Sequence, residues 1–248
     1  GYFAEPRPGP DGRFHMVGVW RDTPDAATNH HPSYARSSDL VHWERADGTP
    51  IPVPMTLETI DVVEDVPPRQ GLINGNCRLG FDTQERPVVS YHRYDAQGNS
   101  QIYCARFENG RWRVYQTTDW QDYRWEFGGG GSIPFDVRVG GVRVNETGLL
   151  LLRCSRPGKG GTWRLEPDTL TVTGRAPRSK IRRASLGPVR SPFPGMSVRV
   201  RGDSGQAEAD MTSVPPFTLY NGTKDDVWEP IDPGEVPNYE SNVLDPLK

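Results

Sequence analysis

Apolar and polar positions along the chain alternate in short bursts. Phe14-His15-Met16-Val17-Gly18-Val19-Trp20, Ser33-Tyr34-Ala35-Arg36-Ser37 and Arg86-Pro87-Val88-Val89-Ser90-Tyr91-His92-Arg93 are too short for amphipathic helices and rich in β-branched and aromatic residues. In the last of these, Val88, Ser90 and His92 point one way and Val89, Tyr91 and Arg93 the other. Asp11-Gly12, Asp47-Gly48 and Asn109-Gly110 stand where hairpin turns are required. The bursts form a weak repeat: a strand ending in polar groups, a strand of small and aromatic residues, then a turn leading to Trp43, Trp112 or Trp163. Units at this spacing predict an all-β chain of four-stranded antiparallel propeller blades. Residues 1–175 hold three clear repeats. Residues 176–248 read as an irregular segment with further strands at 192–200 and 217–220 and a surface tail.

Composition agrees with many short strands and turns: Gly 27 and Pro 24 are both high. The formal charge of −3, from Lys+Arg 29 against Asp+Glu 32, supplies no field for nucleic acid or an anionic membrane. The basic runs at 178–183 and 199–201 read as solvated loops. No apolar run reaches membrane-spanning length. The three cysteines carry no metal-ligand spacing and allow at most one disulfide. Cys77 and Cys104, in apolar strand contexts, are expected as buried thiols. The sequons at Asn145 and Asn221 permit secretion. Residues 37–43 and the three repeat tryptophans read as structural, and residues 55–70 as an insertion with few strand signals.

Candidate chemistry concentrates between the first two strands. There Arg21, Asp22, Asp25, Asn29 and His30 offer a guanidinium, two carboxylates, an amide and an imidazole at strand ends, where all-β scaffolds place binding groups. The same residue types also cap turns. Asn74 and Asn76 flank Gly75 and either enter a pocket or close a bend. The glycine run 128–131 lets backbone approach a ligand or another strand closely. Asp22, Asp25 and Asn29 offer oxygen ligands of the kind Ca2+ takes, but at no recognised loop spacing; no metal is assigned, and calcium is the one cation admitted.

Several of these motifs, in order, resemble the BNR-4 repeat family. They are Arg13-Phe14-His15 leading into Val19-Trp20-Arg21-Asp22-Thr23-Pro24-Asp25, Thr28-Asn29-His30, Ser33-Tyr34-Ala35-Arg36-Ser37, Gly71-Leu72-Ile73-Asn74-Gly75-Asn76, Pro87-Val88-Val89-Ser90-Tyr91-His92-Arg93-Tyr94-Asp95 and Gly129-Gly130-Gly131-Ser132-Ile133-Pro134-Phe135. The resemblance covers residues 9–200 and implies a seven-bladed propeller of which this chain supplies the C-terminal part. It implies a secreted or periplasmic lyase that cleaves rhamnose–glucuronate linkages in arabinogalactan or gum-arabic-type glycans. An α-L-rhamnosidase on the same linkage is the alternative. By the same resemblance Arg21 binds the uronate carboxylate, His30 and His92 serve in catalysis, and Asp22, Asn29, Asn74, Asn76, Arg93 and Arg124 contact sugar. The spaced histidine pair of the family's first blades has no counterpart here. That leaves a non-catalytic carbohydrate-binding remnant as a third reading, or a second chain that supplies the missing blades. The expected partner in each case is a uronate-containing oligosaccharide or polysaccharide.

Overall fold

Strands form where β-branched and aromatic residues alternate with polar ones, and the hairpins turn at the expected glycines. At Asn109-Gly110 both residues take positive φ, +52° and +75°, the backbone of a two-residue turn whose twist matches its flanking strands. The computed structural model describes residues 1–176 and, beyond them, one strand pair; the chain divides into the units Gly1–Arg178 and Ser179–Lys248.

Three antiparallel sheets follow one another in the first unit. The first holds β1 (Tyr2–Phe3), β2 (Arg7–Pro8), β3 (Phe14–Arg21), β4 (Asn29–Ser37), β5 (Trp43–Glu44), β6 (Pro50–Ile51) and β7 (Asp61–Val62). β1 and β2 both pair with β3 and form the starting edge, and β7, inside the expected insertion, pairs with β4. The second is a four-stranded meander of β8 (Arg78–Phe81), β9 (Pro87–Tyr94), β10 (Ser100–Glu108) and β11 (Arg111–Gln116). The third holds β12 (Arg138–Val139), β13 (Arg143–Val144), β14 (Leu150–Arg156), β15 (Lys159–Leu165) and β16 (Val172–Arg175). In the second unit β17 (Tyr220–Asn221) pairs with β18 (Glu229–Pro230). The expected strand at 192–200, most of that at 217–220 and the two basic runs lie outside the described residues.

The sheets stack face to face like blades. Val89, Tyr91, Tyr103 and Ala105 of the second sheet pack on Val17, Val19 and Tyr34 of the first. Val88, Ile102 and Cys104, on the opposite face, pack on Val139, Leu150, Leu152, Cys154 and Leu165 of the third. Each Val, Leu or Ile among them, fully buried, contributes about 1.5–3 kcal/mol of transfer free energy. All three cysteines are free and buried.

At the starting edges of the second and third sheets the backbones nearly touch. A Cβ on Gly80 of β8 would lie 2.0 Å from the Val142 carbonyl oxygen, and one on Gly141 would lie 2.0 Å from that of Leu79. Farther out, Arg106 of β10 binds Glu108 at 2.7 Å and donates to the carbonyls of Pro167 and Asp168 beyond β15, at 2.5 and 2.9 Å. The turn after β4 closes as its sequence predicts: Asp39 Oδ1 accepts from the N–H groups of Val41 and His42, both at 2.8 Å, and Trp43 packs under the sheet.

Candidate functional site

Arg21 ends β3. Alternation along that strand puts it on the face of Val17 and Val19, toward the second sheet. Its cross-strand partner is Asn29, and its Nε donates to Asn29 Oδ1 at 3.3 Å. Its Nη2 donates to Asn74 Oδ1, at 3.1 Å, from the short 3-10 turn Asn74–Asn76 that precedes β8. The guanidinium lies 4.3 Å from the ring centroid of Tyr2. No carboxylate reaches it among the described residues. A half-buried guanidinium held by two neutral carboxamides and an aromatic face keeps its charge and its orientation for an outside anion.

Asn29 is itself fixed. It caps the single 3-10 turn Ala26–Thr28, with Nδ2 donating to the Ala26 carbonyl at 2.6 Å. Asp25 opens that turn and accepts from Ala27 N at 3.0 Å. The same carboxylate receives the Gly129 N–H at 2.7 Å and Arg69 Nη2 at 3.2 Å, while the Gly129 carbonyl accepts from Ala26 N at 2.8 Å. The Ala27 and Gly129 amides hold the Asp25 carboxyl below the usual range. The glycine run is thus a strap fastened to the turn beside Arg21, at a point where Gly129 takes φ +81°.

His30 leaves this cluster. It pairs with Trp20, one residue before Arg21, so it occupies the opposite face of the sheet. His31 has φ +46°, and its ring swings beside His30 rather than away from it. The two Nδ1 atoms are 2.5 Å apart; His30 Nε2 meets Asp22 at 3.0 Å, and His31 Nε2 meets Asp65 at 2.9 Å. All three contacts are hydrogen-bonded only when the pair holds three ring protons and one positive charge. Burial lowers the His30 pKa, with Asp22 opposing and His31 adding to the shift. Sequence reasoning passed over His31; its only signal was adjacency to His30.

His92 is fully buried, stacked on Trp125 at 5.1 Å between centroids. Burial pulls its pKa down to about 3, so the ring is neutral. Asn76 Nδ2 approaches its Nδ1 at 3.3 Å, while Nε2 has no hydrogen-bond partner among the described residues. Asn76 closes a bend, donating to Val137 O at 2.8 Å and accepting from Val139 N at 3.2 Å. The Arg93 guanidinium is committed to Glu64, at 2.9 and 2.6 Å, and lies 3.7 Å from the Tyr103 ring centroid. Arg124 is exposed, stacked on Tyr94 and paired with Glu126 at 2.7 Å. Thus Arg21, Asn29 and Asn74 come together, whereas His30, His92, Asn76, Arg93 and Arg124 serve other contacts. The oxygens of Asp22, Asp25 and Asn29, considered for calcium, turn to His30, to Gly129 and Arg69, and to Arg21. Among the described residues no three acidic, His or Cys side chains are grouped to hold a metal. Tyr2, 47% exposed in the chain's second position, is the contact that sequence reasoning missed.

An open groove of about 380 Å³ lies among Arg7, Pro8, Phe81, Asp82, Val142 and Arg143. These residues sit near the start of β3, β9 and β14, at the other end of the sheets from Arg21. Eight residues of β3 separate the two ends, roughly 23 Å at ~3.3 Å per residue.

The sequence profile of BNR repeat-containing family members matches residues 1–120. No curated protein matches the chain. Among solved structures, an ulvan lyase of polysaccharide lyase family 25 is similar at TM-score 0.46 and 10% identity, over 69% of this chain and 41% of that one. The form of that lyase bound to -[GlcA(1-4)Rha3S]- gives the same values. A thermostable family-43 glycoside hydrolase is similar at TM-score 0.40 and 11% identity, over 66% of this chain and 48% of the hydrolase. The chain therefore spans less than half the length of each.

Proposed function

We propose that this chain carries the uronate-recognising part of a carbohydrate-active enzyme that cleaves rhamnose–glucuronate linkages by β-elimination. The observation that supports this is the Arg21 guanidinium, oriented by Asn29, Asn74 and Tyr2 and matched by no carboxylate among the described residues. Elimination breaks the C5–H bond, moves its electron pair into a C4–C5 double bond and releases O4, which takes a proton. A cation on the C6 carboxylate stabilises the negative charge that develops there. The Tyr2 ring lies against Arg21, and in this reading its phenol is the candidate to carry the proton. Hydrolysis by a rhamnosidase calls for two carboxyl groups facing one bond. Asp22 and Asp25 are instead engaged with His30 and with the strap.

A second reading, uronate binding without turnover, is favoured by one observation: both histidines expected in catalysis lie away from Arg21. One experiment separates the two. The chain is titrated with a rhamnose–glucuronate oligosaccharide, and ultraviolet absorbance of the unsaturated product is followed. Binding with absorbance growth supports the lyase; binding alone supports the second reading; no binding overturns both. Arg21→Lys keeps the charge but loses the fork, and is expected to weaken binding roughly tenfold, with Arg21→Gln losing more.

A further inference from the structure

A continuous hydrogen-bond chain runs from the glycine strap to the arginine. The Gly129 carbonyl accepts from Ala26 N, the Ala26 carbonyl accepts from Asn29 Nδ2, and Asn29 Oδ1 accepts from Arg21 Nε. The strap's own N–H is tied to Asp25, which opens the same turn. On the strap's two sides, Phe127 packs on Trp125 with centroids 4.5 Å apart, and Phe135 sits where a Cβ on Gly75 would be 2.5 Å from its ring. Gly75 lies between Asn74 and Asn76, so the strap also ends against the turn that holds Arg21 from the second sheet. Both amide supports of the guanidinium are therefore braced by one segment, residues 127–135. Gly128 to Gly131 are exposed, and only Gly129 among these glycines is tied down by the Asp25 turn.

We propose that Asp25 is a positioning residue for Arg21, and that the glycine strap it fastens sets the orientation of the guanidinium and responds when an acidic sugar occupies it. The second half of this rests on the uronate reading above; the first half does not. Asp25 touches no sugar. Its carboxylate fixes the strap, the strap fixes the turn, and the turn fixes Asn29. The Arg69 side chain adds charge to the carboxylate from the outside; its backbone N–H also holds the turn, at the Ala27 carbonyl 2.8 Å away, a link that replacing the side chain leaves in place.

The test uses the whole chain labelled with 15N. Asp25→Ala should speed exchange of the Gly129 amide roughly tenfold, the loss expected for a capping carboxylate, and shift or broaden the Arg21 Nε–H resonance. Asp25→Asn retains one acceptor oxygen and should restore much of both signals. Arg69→Ala should leave both unchanged. Gly129→Ala strains the same latch from the other side, since its φ of +81° suits glycine and nothing lies within 4 Å of the new methyl; it serves where Asp25→Ala fails to fold. Faster Gly129 exchange with an unmoved Arg21 resonance overturns the positioning role and leaves the uronate reading intact. In the wild type, a glucuronate–rhamnose disaccharide should slow strap exchange. Binding without that slowing overturns the strap's response. Absence of binding overturns the uronate reading and the response together, while the Asp25–Arg21 coupling is still read from the ligand-free spectra.

Discussion

His92 shows what a single side chain contributes when the fold encloses it. Its ring is neutral, and burial alone holds the pKa at about 3 against 6.5 for a free imidazole. Between those values the unfolded chain binds a proton that the native chain does not. The contribution of His92 to stability is therefore fully present above pH 6.5 and is lost as pH falls toward 3, at ~1.4 kcal/mol per unit, on the order of 5 kcal/mol in all. His92→Phe keeps an aromatic ring against Trp125 and removes the titration. Urea midpoints at pH 7, 5.5 and 4.5 should decline less steeply in the variant than in the wild type; equal slopes would show that His92 is not buried uncharged. The same scale shows what could be read ahead of the structure. Arg21 and Asn29 are eight residues apart across one hairpin, and strand pairing brings them together at no cost in long-range order. Tyr2 reaches Arg21 only because β1 pairs with β3, and His31 reaches His30 only because its backbone turns left-handed. Neither event leaves a mark in the hydrophobic pattern.

At the scale of elements, turns and close approaches set the register of the sheets. Three connections use the same device: an Asx oxygen accepts from the N–H groups two and four residues on. It occurs at Asp82 with Gln84 and Arg86, at Asp95 with Gln97 and Asn99, and at Asn145 with Thr147 and Leu149. None of the three was among the turns read from the sequence, which rested on adjacent Asp-Gly and Asn-Gly pairs; here the Asx residue stands alone and only its side-chain oxygen makes the turn. The Gly80–Gly141 approach was not legible either, because the two residues belong to different sheets and nothing local requires them. Gly80 has no positive φ; it is needed for space alone. Gly80→Ala should therefore destabilise by more than the 1–3 kcal/mol usual for ~one added methyl in a packed core, since the obstacle is backbone. Gly110→Ala meets nothing within 4 Å and suffers only the left-handed strain of φ +75°, ~1–2 kcal/mol. Thermal unfolding of the two variants side by side checks the order, and a milder effect at Gly80 would mean that the two edges are not in contact.

At the scale of the first unit, the alternation in residues 86–93 anticipated the two faces of the middle sheet: Val88 packs toward the third sheet, Val89 and Tyr91 toward the first. What fastens the sheets besides apolar burial was not legible, because charged residues in strands ordinarily face water. Arg106 is buried with Glu108 and Asp82, at 2.7 and 3.6 Å, and Arg86 adds pairs to both carboxylates at 2.7 and 3.4 Å. Through Pro167 and Asp168 the same guanidinium ties the second sheet to the far end of the third. Without Arg106 the buried carboxylates of Asp82 and Glu108 share Arg86, with the more exposed Arg113 3.6 Å from Glu108, and lose their one buried counter-charge, so Arg106→Met should cost about 3–5 kcal/mol in urea unfolding at pH 7. Burial alone would raise the Glu108 pKa; hydrogen bonds from Tyr115 and Arg106 reverse this and hold it low. Without Arg106 the carboxyl is left with more of the burial effect, takes up its proton at higher pH, and becomes cheaper to bury as a neutral acid. The gap between variant and wild type should therefore narrow as pH falls from 7 toward 4. A gap that stays constant would mean that Arg106 acts by packing and by its carbonyl contacts, and that charge pairing contributes little to holding the second and third sheets together.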